Sequence, residues 1–409
     1  RQSFDARTAV QRFGPWVKPT LSMTTNYNQN NGPELSADLS VRAVTNGMNL
    51  SVNWQLPFDR LAYGGTAPRT PVGRLSAADS AKLDTLRRRR SEQPLWRRIV
   101  GRLGNVSTDT RLNRNSQYSR IAGTPDLLYL VGLRSDPGFG ADTTGVRTLA
   151  GNFASRSEDV STSANTRVDL GLGAAVTARL EWGQRHSEAS GSRNRSDRLR
   201  FPDFEVNYGR VPDAIRLKRF FNNPTLRTIF GRSVSTDFVN ADTKTRETRS
   251  SEWRPLVGFT GDLKHGARTD LRVERRVTQS DESFLGANSV RTDRFTDVQF
   301  SLSRSYSQGQ KIVLMGKETT VRQRVDLGFT ATYSRTNAEL ERPAAGGATP
   351  PIRQKLTAND QLSANLTGAY GFSDNVTGNL ALGFRQDRNL LTTITTRSLR
   401  IELRAQFTF

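Results

Sequence analysis

Residues that could carry out chemistry are few and scattered. The chain has two histidines, His186 and His265, and no cysteine. Each histidine sits beside an Arg or Lys near a predicted strand end, whereas a metal or nucleophilic site needs a convergent cluster. Asp203 and Glu205 share one face of a short segment, but nothing around them suggests a pocket for glycosidase-type acid/base work. The sequence therefore predicts no enzymatic activity, no cofactor and no metal.

The dominant feature of the composition is positive charge. The 409 residues include 60 Lys and Arg against 39 Asp and Glu, a formal net charge of +21. A basic chain can bind nucleic acid, but here the Arg residues are spread along the chain and many fall on the polar phase of predicted strands. Three interpretations stay open: a solvated polar surface, a surface facing lipopolysaccharide phosphates, and a basic conduit that favours acidic clients.

The elements that must position these charges are strands, and the last one shows the pattern most clearly. From Leu399 to Phe409, apolar and polar residues alternate, so one face of the strand is apolar and the other polar. The alternation lasts about 9–11 residues, enough to cross a bilayer when tilted. Phe407 and Phe409 would lie in an interfacial aromatic girdle and act as the terminal signal for barrel assembly. The pore-lining candidates, on the polar phase of this strand and the one before it, are Arg385, Arg400, Glu402 and Arg404.

The same alternation recurs along the whole chain, and about 14–16 strands are predicted. Mean hydropathy is −0.59, and no run approaches the ~18 apolar residues of a membrane-spanning helix. The predicted fold over residues 1–409 is an all-β, transmembrane, antiparallel outer-membrane β-barrel. It could close as a porin-sized barrel or form part of a very large one. The clearest strand segments are 50–56, 168–182, 257–263, 271–274, 298–303, 325–334, 362–372 and 376–385.

Two stretches break the alternation and predict one or two short helical insertions. Residues 75–103 have helical spacing, with Arg97, Arg98 and Arg102 on one face of the second half. Such a basic amphipathic helix could lie at a membrane interface or pack on or inside the barrel. Residues 211–221 are a shorter helix-like stretch. The apolar face of the first helix consists of Leu95, Trp96, Ile99, Val100 and Leu103.

Connection lengths predict the orientation of the strands. Short, turn-like connections at 264–266 and 373–375 would face the periplasm, where barrels carry their tight turns. Residues 280–293 and 336–359 would lie outside, and 336–359 would be a long extracellular loop. The predicted location is the outer membrane of a Gram-negative bacterium. The chain begins at Arg1 without a signal peptide, which indicates a processed protein or a fragment.

Several short motifs occur in a fixed order along the chain. Phe201-Pro202-Asp203-Phe204 opens a strand, Asp326-Leu327-Gly328-Phe329 precedes the long loop, and Phe372-Ser373-Asp374-Asn375 forms a turn before the terminal strand. This ordered set resembles the C-terminal portion of the SprA (Sov) family, the outer-membrane translocon of the type IX secretion system linked to gliding motility. The resemblance is best from Phe201 onward. The Arg- and Ala-rich composition departs from the Lys- and Asn-rich members of that family.

The resemblance implies a very wide pore that passes folded proteins, a lateral gate, and partner proteins that cap the gate and plug the pore. Family members are several times longer, so this chain would be a C-terminal piece. The predicted function is therefore an outer-membrane protein-conducting channel segment. Its partners would be outer-membrane lipid, lipopolysaccharide and secreted client proteins.

Two other functions remain open. One is a self-contained outer-membrane porin or receptor barrel for small solutes. The other is a soluble basic β-protein that binds nucleic acid, which would place aromatic residues among the Arg residues of one face. Here Phe384, Phe407 and Phe409 fall on the phase opposite to Arg, so nucleic acid is not a predicted partner.

Overall fold

A computed structural model shows the fold and describes most of the chain. The predicted helical insertion at 75–103, with Leu95, Trp96, Ile99, Val100 and Leu103, lies outside the described residues, and so does Phe409. The described residues are 2–9, 19–31, 41–56, 104–138, 146–148, 153–171, 173–189, 191–209, 217–240, 242–284, 287–307, 309, 311–314, 317–320, 323–342, 351–373 and 376–407.

The described part of the chain is almost entirely β-strand. Its helical elements are one α-helix, α1 (Leu127–Leu130), and a 3-10 turn at Leu217–Arg219, which falls inside the predicted helix-like stretch 211–221. The strands are β1 (Gln2–Ala9), β2 (Thr20–Asn31), β3 (Arg42–Leu56), β4 (Val106–Ala122), β5 (Arg147–Thr148), β6 (Ala154–Gly171), β7 (Ala174–Ala189), β8 (Ser192–Tyr208), β9 (Phe221–Val239), β10 (Thr243–Leu263), β11 (Arg268–Phe284), β12 (Ala287–Tyr306), β13 (Lys311–Leu314), β14 (Lys317–Thr320), β15 (Val325–Arg342), β16 (Ile352–Ser373), β17 (Val376–Asn389) and β18 (Thr395–Phe407).

The strands pair with their neighbours in sequence, in an up-and-down order. The main sheet has 16 strands, in the order β1-β2-β3-β4-β6-β7-β8-β9-β10-β11-β12-β15-β16-β17-β18, with β5 beside β4 and β13-β14 as a separate hairpin. Each pairing from β1 to β6 and from β11 to β18 is antiparallel. The predicted all-β antiparallel fold class is confirmed. No helix among the described residues has the length and apolar character needed to cross a bilayer.

The chain divides into two compact units. Unit 1 comprises Arg1–Asp169, Thr177–Phe201 and Val234–Glu247, and unit 2 comprises Leu170–Val176, Pro202–Ser233 and Thr248–Phe409. Unit 1 contains a cluster of buried side chains where α1 packs on the sheet. Its buried members are Tyr27, Val44, Tyr118, Ile121, Tyr129 and Val146. Unit 2 instead has many large apolar side chains exposed on its strands, such as Leu327, Leu366 and Leu403.

The long connections predicted at 280–293 and 336–359 are largely strand, which corrects those boundaries. β11 and β12 stay paired as far as Phe284 and Ala287, and β15 and β16 as far as Arg342 and Ile352. These segments are mostly polar, with only scattered apolar residues such as Val290, Ala338 and Leu340, so backbone hydrogen bonds extend the ladder where hydrophobic alternation gives little signal. The connection between β11 and β12 is therefore short, and the orientation of the strands and the extracellular position of 336–359 stay predictions.

Of the two short turns predicted from composition, the one at 264–266 is present, and residues 374–375 of the other lie outside the described residues. At 264–266, the Leu263 amide donates to the Ala267 carbonyl at 2.6 Å, and Gly266 has a φ of +81°, a conformation that favours glycine. At the other turn, Ser373 pairs directly with Val376. Ser, Asp, Asn and Gly mark such turns locally, so the sequence identifies them without tertiary information.

Candidate functional site

The register of unit 2 gathers apolar side chains on one face of the sheet. Leu366 lies opposite Phe329 on β15 and Leu382 on β17. Leu382 in turn lies opposite Ile401 on β18. Successive side chains of a strand point to opposite faces. The positions of these four residues therefore show on which face the remaining residues of their strands lie. This surface is called the apolar face below.

The apolar face is exposed rather than covered. Leu366 and Leu327 are 44% and 45% exposed although both lie on interior strands, and Leu403 on β18 is 77% exposed. Water-soluble proteins rarely show so large a contiguous apolar surface, whereas strands that cross a membrane carry one toward lipid. The described strands are therefore a transmembrane antiparallel fold of the outer-membrane β-barrel class, and they belong in an outer membrane, as predicted.

Phe407, predicted as part of the terminal assembly signal, lies on this apolar face. It pairs with Val376 and is 60% exposed, which is the placement expected of an aromatic residue at a membrane boundary. Its role in assembly stays a prediction.

The four predicted pore-lining residues come together on the opposite face, called the polar face below. Arg400, Glu402 and Arg404 pair across β17 with Gly383, Ala381 and Asn379, and Arg385 pairs with Ser398. All four therefore point away from the leucines. That they line a pore stays a prediction.

Glu402 holds the two neighbouring Arg side chains of β18. Arg400 Nη2 lies 2.7 Å from Glu402 Oε2, and Arg404 Nε contacts Glu402 Oε1. The Arg side chains are 76% and 72% exposed and Glu402 is 24% exposed. Such exposed pairs add only about 0–1 kcal/mol each to stability. Their main consequence is electrostatic, because one carboxylate between two guanidinium groups leaves a net positive charge on the polar face.

The same spacing of Arg and acid, two residues apart, recurs along unit 2. Residues i and i+2 of a strand lie about 7 Å apart on the same face, within the reach of an Arg side chain. An Arg-x-Asp/Glu motif on a predicted strand could have revealed these pairs, which the sequence analysis missed. On the polar face they are Arg272–Glu274, Arg291–Asp293 at 3.0 Å and Arg385–Asp387 at 2.7 Å.

Unit 1 has a charged groove of its own on the polar phase of β4 and β6. The groove has a volume of about 520 Å³, and Arg111 pairs with Asp109 at 2.6 Å within it. Its charged side chains include both acids and bases, so the charge of the groove is mixed in sign rather than uniformly positive. They are Asp109, Arg111, Asp159, Glu181, Arg185 and Arg198.

The carboxylates singled out from the sequence have structural surroundings. Glu205 pairs with Arg227 at 3.0 Å and accepts a hydrogen bond from Asn207 at 2.7 Å, and Asp203 is buried. Within the described residues, no three His, Asp or Glu side chains converge in a way that could hold a metal ion.

A loop that contains α1 folds back onto the sheet of unit 1. Residues 123–138, called the flap below, are held by Tyr129, which is fully buried. Its ring packs edge-on against Tyr27 and Tyr118, with 6.2 Å between ring centroids in each pair. Its carbonyl accepts a hydrogen bond from Asn46 Nδ2. The sequence analysis missed this element, because four helical residues between long strands give no periodic signal.

The buried phenol makes the flap sensitive to alkaline pH. Burial raises the pKa of Tyr129 above its ordinary value of 10.0. Because the folded-state pKa is the higher one, the stabilising contribution is complete below pH 10 and is lost as pH rises through the raised pKa. We expect near-ultraviolet circular dichroism of the tyrosine cluster to begin to fall above about pH 10 and to be lost as pH rises through the raised pKa of Tyr129.

The control for this pH dependence is Tyr129→Phe, which keeps the ring and removes the titrating hydroxyl. We expect the transition in this variant to become shallower. An identical alkaline transition in Tyr129→Phe would show that ionisation of Tyr129 does not release the flap.

Comparisons with known proteins do not assign this chain to a family. No family model and no curated protein matches it. Among solved structures, it is similar to the translocator domain of autotransporter NalP from Neisseria meningitidis, at 11% identity and a TM-score of 0.15, covering 98% of this chain and 90% of that one. It is also similar to the ferric yersiniabactin uptake receptor FyuA from Yersinia pestis, at 10% identity and a TM-score of 0.26, covering 95% of this chain and 58% of that one. Structural similarity at this level gives no information about the function of this chain.

Proposed function

We propose that this chain is a wall segment of an outer-membrane channel that conducts proteins, as in the type IX secretion translocon that its motifs resemble. The observation that carries the proposal is the two-faced sheet: exposed leucines on one side, and Arg400, Glu402 and Arg404 on the other. A wall of this kind separates lipid from water and needs no chemical step. Transport then depends on the width and charge of the space that the polar face borders.

The two edge strands of the sheet are compatible with two arrangements of the barrel. Within the described residues, β1 has β2 as its one neighbour in the main sheet and β18 has β17. Unpaired backbone groups are costly inside a membrane, so each free edge needs a partner strand. Either the two edges pair with each other, as in a self-contained porin or receptor barrel, or further strands extend the wall. The resemblance to the translocon family favours the second arrangement.

Solute exclusion separates the two arrangements. The protein is reconstituted into vesicles that contain polyethylene glycols and small folded proteins of graded size. Release of a folded protein is expected from a translocon, while a barrel that releases sugars and retains every protein would contradict the proposal. Vesicles loaded in the same way but without protein serve as the leakage control.

Charge reversal on the polar face is expected to shift ion selectivity toward cations. The variant is Arg400→Glu with Arg404→Glu, and the readout is the reversal potential of planar bilayers in a salt gradient. In a wide pore the shift should be clear at about 0.01 M salt, where the Debye length is about 30 Å, and small at 0.1 M, where it is about 10 Å. A narrow porin would keep the shift at both concentrations.

The matched control is Arg388→Glu with Arg397→Glu. These residues have the same charge and lie on the same two strands, but the register places them on the phase of the apolar face. This control should leave the reversal potential unchanged. If both double variants shift it equally, Arg400 and Arg404 do not border the conducting space.

A further inference from the structure

The flap lies on the apolar side of unit 1. The sheet residues beneath it, Asn46 on β3 and Ser116 on β4, pair directly with each other. They share the phase of Leu50 and Leu112, which pair two rows farther along the same strands. The flap therefore covers the end of the face that carries apolar side chains, and not the face that carries the charged groove.

The flap meets the apolar rows without a gap. A Cβ added to Gly132, whose φ is +81°, would come within 2.8 Å of Thr25 Cγ2 and 3.3 Å of Met48 Cβ. Met48 pairs with Arg114, and the next row on the same face is Leu50 with Leu112. On one face of a strand, the distance from one row of side chains to the next is about 7 Å. The flap thus contacts the row of Met48 and Arg114, which is next to the apolar row of Leu50 and Leu112.

The flap is fixed to the sheet by polar contacts along its length. Tyr118 Oη donates to the Ser135 carbonyl at 3.0 Å, and Arg114 Nη1 donates to the Leu133 carbonyl at 3.3 Å. Inside the flap, the Asp126 amide donates to the Pro137 carbonyl at 3.0 Å. With Tyr129 buried at its centre, the flap presents a defined outer surface.

That outer surface is apolar with a border that carries both charges. Leu127, Leu128 and Leu133 are 70%, 47% and 54% exposed, whereas Tyr129 is fully buried and Leu130 packs against the buried cluster. Arg134 is half exposed and lies 3.7 Å from Asp126. Leucines next to a cationic side chain are what a membrane interface accepts: the apolar groups enter the acyl region while the guanidinium stays among the phosphates.

We propose that the flap is an interfacial anchor, whose leucines Leu127, Leu128 and Leu133 insert into the lipid leaflet that borders the apolar rows of unit 1. The occupant of this surface is membrane lipid, because the leucines extend the side of the sheet that carries Leu50 and Leu112, and the apolar side of a membrane-spanning strand is the one that meets lipid. The proposal rests on the membrane location in the proposed function. It adds a loop that holds one end of the wall at a fixed depth in the bilayer.

Single-cysteine labelling can test the anchor, because the chain has no Cys of its own. An environment-sensitive NBD probe is placed at Leu128→Cys, at Asn115→Cys on the polar phase of β4, and at Leu366→Cys on the apolar face of unit 2. The protein is reconstituted in phosphatidylcholine and phosphatidylglycerol vesicles with lipids brominated near the headgroup or deep in the chain. Iodide serves as the aqueous quencher.

The expected result is that shallow brominated lipid quenches the probe at 128 at least about twofold more than the probe at 115, with iodide showing the reverse order. Iodide could quench the probe at 128 as strongly as the probe at 115 while lipid still quenches the probe at 366. That result would contradict the proposed anchor and leave the proposed membrane location of unit 2 supported. If lipid quenches none of the three probes, the proposed membrane function fails together with the anchor.

Discussion

Leu366→Arg is expected to lower the free energy of unfolding in a bilayer by about 2–4 kcal/mol, the cost measured for a cation at mid-depth on a lipid-facing strand. Leu366 is 44% exposed and lies between Phe329 and Leu382 in the middle of the apolar face. An Arg at this position would have to stay in hydrocarbon or displace its neighbours to reach the interface.

The matched control is Thr367→Arg, one residue along the strand and on the opposite face. Thr367 pairs with Ala381 and is exposed, so its replacement should change the free energy by no more than about 1 kcal/mol. Denaturant titration of both variants in lipid vesicles, followed by tryptophan fluorescence, measures the difference. Equal losses would contradict the assignment of the two faces. A larger loss for Thr367→Arg would reverse it.

Tyr129→Ala is expected to remove about 3–5 kcal/mol from the closure of the flap, as loss of a buried aromatic ring does in other cores. The ring fills the space between Tyr27 and Tyr118, and neither neighbour can move far because both belong to paired strands. Hydrogen exchange of backbone amides in 123–138, measured by mass spectrometry, should accelerate in this variant while exchange in β15–β17 stays unchanged.

Tyr129→Phe separates ring packing from the hydroxyl group. The hydroxyl lies 3.3 Å from Ser116 Oγ, a long hydrogen bond whose loss costs about 0.5–1.5 kcal/mol. Exchange in Tyr129→Phe should therefore stay close to that of the natural protein. If both variants accelerate exchange equally, the hydroxyl holds the flap. If neither does, Tyr129 is not the residue that holds it.

The fold class was accessible from the sequence because strand alternation is a local property. Leu403 and Arg404 differ by one residue, and a pleated strand must put them on opposite faces whatever surrounds it. The pairing of β17 with β18 places Arg385, Arg400, Glu402 and Arg404 on one face, and that they line a pore stays a prediction. The turn at 264–266 was equally local, because its residue types favour that conformation.

The extent of the outer hairpins was not accessible in this way. Residues 336–342 are polar except for Ala338 and Leu340, so hydrophobic alternation gives little signal there and their strand structure depends on pairing with 352–359 of β16. Pairing of that kind is visible only when the partner strand and its register are known. For the same reason, the sequence suggested a cleaner contrast between long and short connections than the structure has.

The sequence by itself determined that this protein is a two-faced antiparallel sheet with charge on one side and leucine on the other, because the period of a strand converts residue order directly into faces. The tertiary structure decided how the faces join: which Arg meets which acid across the polar face, and where Tyr129 fixes the flap among Tyr27 and Tyr118. Those contacts connect residues as far apart as 27 and 129, and only the packing of the folded chain brings them together.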